Sequence, residues 1–219
     1  MKPGWNLFSP QQDVELGQQV AQDAEKKLAM LNNRQVDDYL NRLGKKLAAY
    51  APGEKYPYQF KCVNDPSINA FALPGGFLYV NRGTIEAAEN EAELAGVIGH
   101  EIGHVAMRHG TNQASKSYLA QAPLALLGAF AGSNSVPAIL AQIATSFAAN
   151  SILLKYSRDD ERQSDLLGAQ ILYDAGYDPR YVAQFFEKLE TQNRGTDFFS
   201  SHPSPDNRIR NINNEISKL

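Results

Sequence analysis

Cysteine is nearly missing from this sequence: Cys62 is the only one in 219 residues. No disulfide can close within the chain, and a cysteine-built metal knuckle is excluded. Surplus positive charge is missing as well. The 21 Lys and Arg face 24 Asp and Glu, for a net charge of −3, so nucleic-acid binding is not expected. Internal repeats and low-complexity tracts are absent. The opening Met1-Lys2-Pro3-Gly4-Trp5 has neither the apolar core nor the cleavage site of an export signal. Either the protein is not exported or its signal is absent from this sequence. What is present is ordinary globular usage, 43% apolar and 21% charged, which excludes disorder over most of the chain. The length suffices for a sizeable core.

Hydrophobic spacing divides the chain. Residues 1–50 read as N-terminal helices, with Val14, Val20, Ala24, Leu28 and Leu31 and then Val36, Tyr39, Leu40, Leu43 and Leu47 at helical intervals. Residues 55–82 hold three short apolar runs ended by Asn64-Asp65-Pro66, Pro74-Gly75-Gly76 and Asn81-Arg82-Gly83, the pattern of a small, mainly antiparallel sheet. Cys62 lies in the first run with no base beside it, and reads as core. Helical signals return over 90–110, over 157–176 from Ser157 and Asp160, and over 179–219. Between them, 117–154 carries no charged residue. A membrane span wants about 20 apolar residues, and Pro123, Gly132 and Pro137 interrupt this one. Two buried or partner-facing helices are expected there, with a membrane-surface hairpin as the alternative.

The strongest chemical signal is His100-Glu101-Ile102-Gly103-His104. Four residues make about 1.1 helical turns, so both imidazoles leave one face and can share a metal. Glu101 points beside them, within reach of a water at the metal but angled away from a ligand position. Gly99 and Gly103, each costing about 1 kcal/mol in a helix, suit a face that another backbone must approach closely. His109 would lie about 140° off the ligand face of a continuing helix, and reads as a helix-end residue favoured by the macrodipole. A catalytic metal needs a third protein ligand, and no other nearby histidine or cysteine suits. Glu161 and Asp165, four residues apart, could supply a ligand and a hydrogen-bond acceptor for a ligand histidine. A solvated helix start accounts for them equally well.

The combination His100-Glu101-x-x-His104 with Ser157-Arg158-x-x-Glu161-x-x-x-Asp165-x-x-Gly168 resembles the CAAX prenyl protease and HtpX-like family of zinc metallopeptidases, which are gluzincins. Asn69-Ala70-Phe71-Ala72-Leu73-Pro74-Gly75-Gly76, Gly176-Tyr177-Asp178-Pro179, Ser201-His202-Pro203 and Arg208-Ile209 match further blocks. The likeness spans nearly the whole chain and is nearest to the soluble BepA-like and LoiP-like envelope proteases. It implies that Glu161 is the third zinc ligand and Asp165 its neighbour's acceptor. It implies that His202 approaches the metal, either to stabilise the developing oxyanion or to cap the ion in a latent form. Arg208 would pair with a carboxylate of the site. Asn69, Ala70 and Phe71 are candidates for an edge strand that pairs with substrate backbone, although an ordinary buried strand fits them too.

The expectation is one metallopeptidase domain over 1–219, an α+β, mostly helical zincin-like fold with a small sheet. It would hold one zinc ion on His100, His104 and Glu161, use Glu101 as general base, and cleave unfolded or misfolded polypeptides. By resemblance its setting is the periplasm or cell envelope. The rival is a zinc-bearing, chaperone-like binding module with a covered site, which a fourth protein ligand would favour and an intact general base disfavours.

Overall fold

Ser9 opens the first helix: its side chain accepts the Gln12 amide N–H while the Gln12 side chain accepts that of Ser9, so two otherwise unpaired amides are satisfied. The computed structural model that shows this describes residues 1–129, 155–191, 196–204 and 207–218. Its elements are α1 (Pro10–Glu25), α2 (Arg34–Ala48), β1 (Gln59–Val63), β2 (Ala70–Leu73), a 3-10 turn (Pro74–Gly76), β3 (Phe77–Asn81), α3 (Arg82–Ala87), α4 (Glu91–Ala106), α5 (His109–Ala129), α6 (Arg158–Asp174), α7 (Arg180–Thr191), α8 (Thr196–Ser201) and α9 (Arg208–Ile216). The fold is α+β and mostly helical, as expected. The uncharged segment 117–154 is described only as far as residue 129, within α5; the remainder lies outside the described residues. No helix among the described residues is long and apolar enough to cross a membrane.

The sheet is mixed, in the order β1-β3-β2. β2 and β3 form the expected antiparallel pair, joined by the Pro74–Gly76 turn, in which Gly75 and Gly76 take φ of 71° and 97°. Pairing of β3 with β1 is parallel, because β2 reverses the chain and the turn reverses it again before β3 enters between the two. The central strand is buried along its whole length. Phe77 and Tyr79 face α1 through Phe8, Leu16 and Val20, while Leu78 and Val80 face the main core. Side chains of α2 close the outer edge of β1. Asn41 donates to the Phe60 carbonyl at 2.7 Å and Asp37 accepts the Cys62 amide at 3.0 Å. β2 is the outer strand on the opposite side, with no strand beyond it among the described residues.

α4 is the axis of the molecule, buried from Glu93 through Ala106. Its closest crossing is with α6, and glycines permit it. A Cβ on Gly103 would lie 3.0 Å from the Ser164 Cα, and one on Gly168 would lie 3.0 Å from the His100 amide nitrogen. These contacts are to backbone, which cannot give way as a side-chain tip can. Gly168→Val should therefore destabilise the fold by about 1–3 kcal/mol in urea denaturation, the usual cost of overpacking. An unpacked helix would instead become more stable on losing glycine, and that outcome would contradict the crossing.

Candidate metal centre

Asn90 caps α4 by accepting the Glu93 amide N–H, and the helix carries His100 and His104 to one face of its third and fourth turns. Their Nε2 atoms stand 3.1 Å apart. Opposite them, Ser157 and Asp160 form the reciprocal cap that starts α6, so Glu161 falls in the first turn, facing the histidines. Its Oε2 lies 3.4 Å from His100 Nε2 and its Oε1 3.3 Å from His104 Nε2. The fourth group arrives from α8. His202 follows that helix directly, with its amide donating to the Phe198 carbonyl at 2.9 Å and its ring stacked on Phe198. His202 Nδ1 lies 3.3 Å from His100 Nε2 and 3.1 Å from Glu161 Oε1.

One donor atom from each of His100, His104, Glu161 and His202 thus falls within 4.8 Å of the others. With Glu161 Oε1 as its donor atom, four of the six separations are 3.1–3.3 Å. Bonds of 2.0–2.1 Å in a tetrahedron give edges of about 3.3–3.4 Å, so the donor set fits a small divalent cation. The hydrogen-bond inventory agrees. Glu161 Oε2, His202 Nε2 and both Glu101 oxygens are buried without a hydrogen-bond partner, a costly state for polar atoms in a protein interior.

The surroundings orient these donors. Asp165 Oδ1 accepts His100 Nδ1–H at 2.9 Å, leaving the lone pair on Nε2. Arg208 donates to the same oxygen at 2.6 Å and lies 3.5 Å from Glu161 Oε2. Its guanidinium lies over the Phe186 ring. Glu101 is adjacent, with Oε1 3.5 Å from His202 Nε2.

Burial dominates the electrostatics. It pushes the Glu101 carboxyl above the usual carboxylate range, with His202 and His100 opposing, and holds the His104 imidazole well below its ordinary value despite Glu161. His100 is raised to about 9: burial acts against its charge, and hydrogen bonds to Asp165 and Glu161 outweigh it. Burial alone would raise Glu161, yet His202, His100 and His104 together keep it well below the ordinary value.

Asn69 precedes β2, Ala70 and Phe71 open it, and none of the three lines the small cavity beside His104. Asn69 accepts the Ala70 amide, and Phe71 stacks on Tyr79. The later residues Ala72 to Gly75 reach the site, where with His104, Arg108 and Tyr156 they enclose a cavity of about 10 Å³. That is room for about one water. A larger surface cavity of about 740 Å³ runs along β1 and includes none of the cluster residues.

Two neighbours were missed by sequence reasoning. Tyr156 stacks on His104 with ring centroids 3.9 Å apart; its place just before the Ser157 cap was the available signal. His109, expected at a helix end and off the ligand face, is buried with Nδ1 3.0 Å from His104 Nδ1. The expectation failed because α4 does not run on to residue 109. It stops at Ala106, and Arg108 adopts a φ of 57°, which redirects the chain.

A family model described as peptidase family M48 matches residues 32–216. Among curated proteins, the chain is 28% identical over 217 residues to the beta-barrel assembly-enhancing protease of Escherichia coli K12, covering 95% of this chain and 44% of that protein. It is 30% identical over 199 residues to the metalloprotease YcaL of the same organism, covering 86% and 76%. With the mitochondrial metalloendopeptidase OMA1 of Arabidopsis thaliana it shares 32% identity over 165 residues, 74% of this chain and 32% of that one. The chain thus spans less than half the length of the beta-barrel assembly-enhancing relative.

Proposed function

The chain belongs to peptidase family M48, and from that premise we propose that it is an endopeptidase working with one zinc ion held by His100, His104 and Glu161. The observation that carries this reading is the four-donor cluster with an unpartnered Glu101 beside it. Zinc, when bound, supplies Lewis-acid polarisation of the scissile carbonyl and makes water acidic enough to ionise near neutral pH.

The chain's own residues do the rest. Glu101 takes the proton of the attacking water and passes it to the leaving amine. Burial raises its proton affinity above that of an exposed carboxylate. Asp165, itself held by Arg208, keeps His100 in the tautomer whose Nε2 faces the metal. His202 places Nδ1 at the remaining corner of the donor set and Nε2 near Glu101. We read this as a resting, covered state, in keeping with the very small cavity beside His104. Once withdrawn, the same imidazole can donate a hydrogen bond to a developing oxyanion.

The substrate class is unfolded or misfolded polypeptide, and the setting is the cell envelope. The name of the beta-barrel assembly-enhancing relatives supports that setting. The rival, a non-hydrolytic binding module, gains at His202 the fourth donor it calls for, but it is not favoured, because the family is a peptidase family and Glu101 stands in place.

His202→Ala tests the reading. With the fourth corner freed, the zinc-loaded variant should cleave an unstructured peptide faster than the parent chain, and a chelator should abolish cleavage in both. A fall in kcat of about 100–1000-fold, with KM unchanged, would instead assign His202 to oxyanion stabilisation alone. No change in either kcat or zinc content would leave it a structural residue.

A further inference from the structure

Each metal-facing imidazole of α4 presents Nε2 to the cluster, so each Nδ1–H needs an acceptor on its other side. For His100 that acceptor is Asp165. For His104 the atom in that position is not a carboxylate or a backbone carbonyl but the Nδ1 of His109, 3.0 Å away. The His109 ring is buried, with Ser164 Oγ 3.4 Å from the same nitrogen and Asp160 Oδ1 3.6 Å from its far nitrogen.

The turn that brings it there is strained and heavily tied down. Arg108 holds a left-handed φ of 57°, a conformation that non-glycine residues keep only where the surroundings enforce it. Its guanidinium donates through Nε to Asp13 Oδ2 at 2.6 Å and through Nη2 to Asp13 Oδ1 at 3.1 Å and the Phe8 carbonyl at 2.5 Å. Tyr56 donates to the same Asp13 at 2.8 Å. A buried carboxylate on α1 therefore stabilises the turn that ends α4 early. Were α4 to continue, His109 would rotate about 140° from the ligand face, and His104 Nδ1 would lose this partner.

We propose that His109 is the positioning residue of His104: it accepts the Nδ1–H of that imidazole, fixes its tautomer and ring plane, and thereby keeps Nε2 aimed at the metal. In this arrangement His109 carries its own proton on Nε2, which lies 3.6 Å from Asp160 Oδ1 and makes no hydrogen bond to it. His100 is then oriented by Asp165 of α6 and His104 by His109.

The proposal rests on the reading of His104 as a metal ligand, and its test separates the two. Zinc affinity is measured by chelator competition on the full chain and on two variants. His109→Phe keeps the ring volume and removes the acceptor; His109→Asn keeps an acceptor oxygen on Cγ. The Phe variant should bind zinc about 10–100-fold more weakly, the usual cost of losing such a partner, and the Asn variant should recover most of that loss. Equal affinity of the Phe variant and the parent would overturn the proposal, and so would equal losses in both variants, which would mark a packing effect. Absence of zinc binding by the parent chain would overturn the metal reading itself, and this proposal with it. Should the Phe variant fail to fold, nitrogen NMR of the zinc-loaded parent chain decides. A coupling between His104 Nδ1 and His109 Nδ1, with His109 protonated on Nε2, is expected. A proton on His109 Nδ1 would overturn the assignment.

Discussion

Glu101→Gln should lower peptide hydrolysis by about 100–10,000-fold, the span attributed to a positioned acid–base group, while one zinc stays bound per chain. Glutamine preserves shape and volume while removing the charge and the ability to take a proton. The fold should change little on this substitution, since no side chain holds either Glu101 oxygen by a hydrogen bond. The metal should not notice it either, because Glu101 is outside the four-donor group. Elemental analysis and steady-state rates on the same samples check both halves. Loss of zinc on this substitution would move Glu101 from the base to the ligand set.

Glu161→Ala should have the opposite signature, losing metal and activity together. Its carboxylate contacts three imidazoles at 3.1–3.4 Å, and removing it leaves a ligand set too small for a stable catalytic site. The weakening of zinc binding should exceed the about 10–100-fold expected for Asp165→Ala, which removes a partner of a ligand rather than a ligand. Neighbouring acids provide the contrast. The Asp159 side chain is 82% exposed and meets only Arg162 among the ion pairs described, so Asp159→Ala should change nothing measurable. Asp160→Ala should lose the cap on Ser157 and about 1 kcal/mol of stability, with zinc retained. Chelator competition across the four variants checks the order, and four similar results would reduce the acidic run to a solvated helix start.

Much of this centre was legible in the sequence because its signals are local. Helical period alone puts His100 and His104 on one face, and the Ser157–Asp160 cap fixes where α6 begins. Glycines at 99 and 103 announced a close approach before its source in α6 was known. Spacing did not decide whether Glu161 is a ligand or a solvated acid; only the resemblance did, and the fold then placed the residue against both histidines. What stayed hidden depends on distant partners. The turn at Arg108 is held by Asp13 and Phe8 from the N-terminal region, so a local reading carries the helix through to His109. The parallel β1–β3 ladder arises from strand insertion, which hairpin signals do not encode. α8, the short helix that delivers His202, follows residues outside the described set and has no strong periodicity of its own.

The central claim is that one zinc on His100, His104 and Glu161 makes this chain an endopeptidase. Titrating zinc into the metal-stripped His202→Ala chain while following cleavage of a denatured polypeptide tests it most directly. Internal cleavage should rise in proportion to added zinc and level off at one ion per chain. A rate that is independent of zinc, or that stays at zero with one ion bound, would contradict the account.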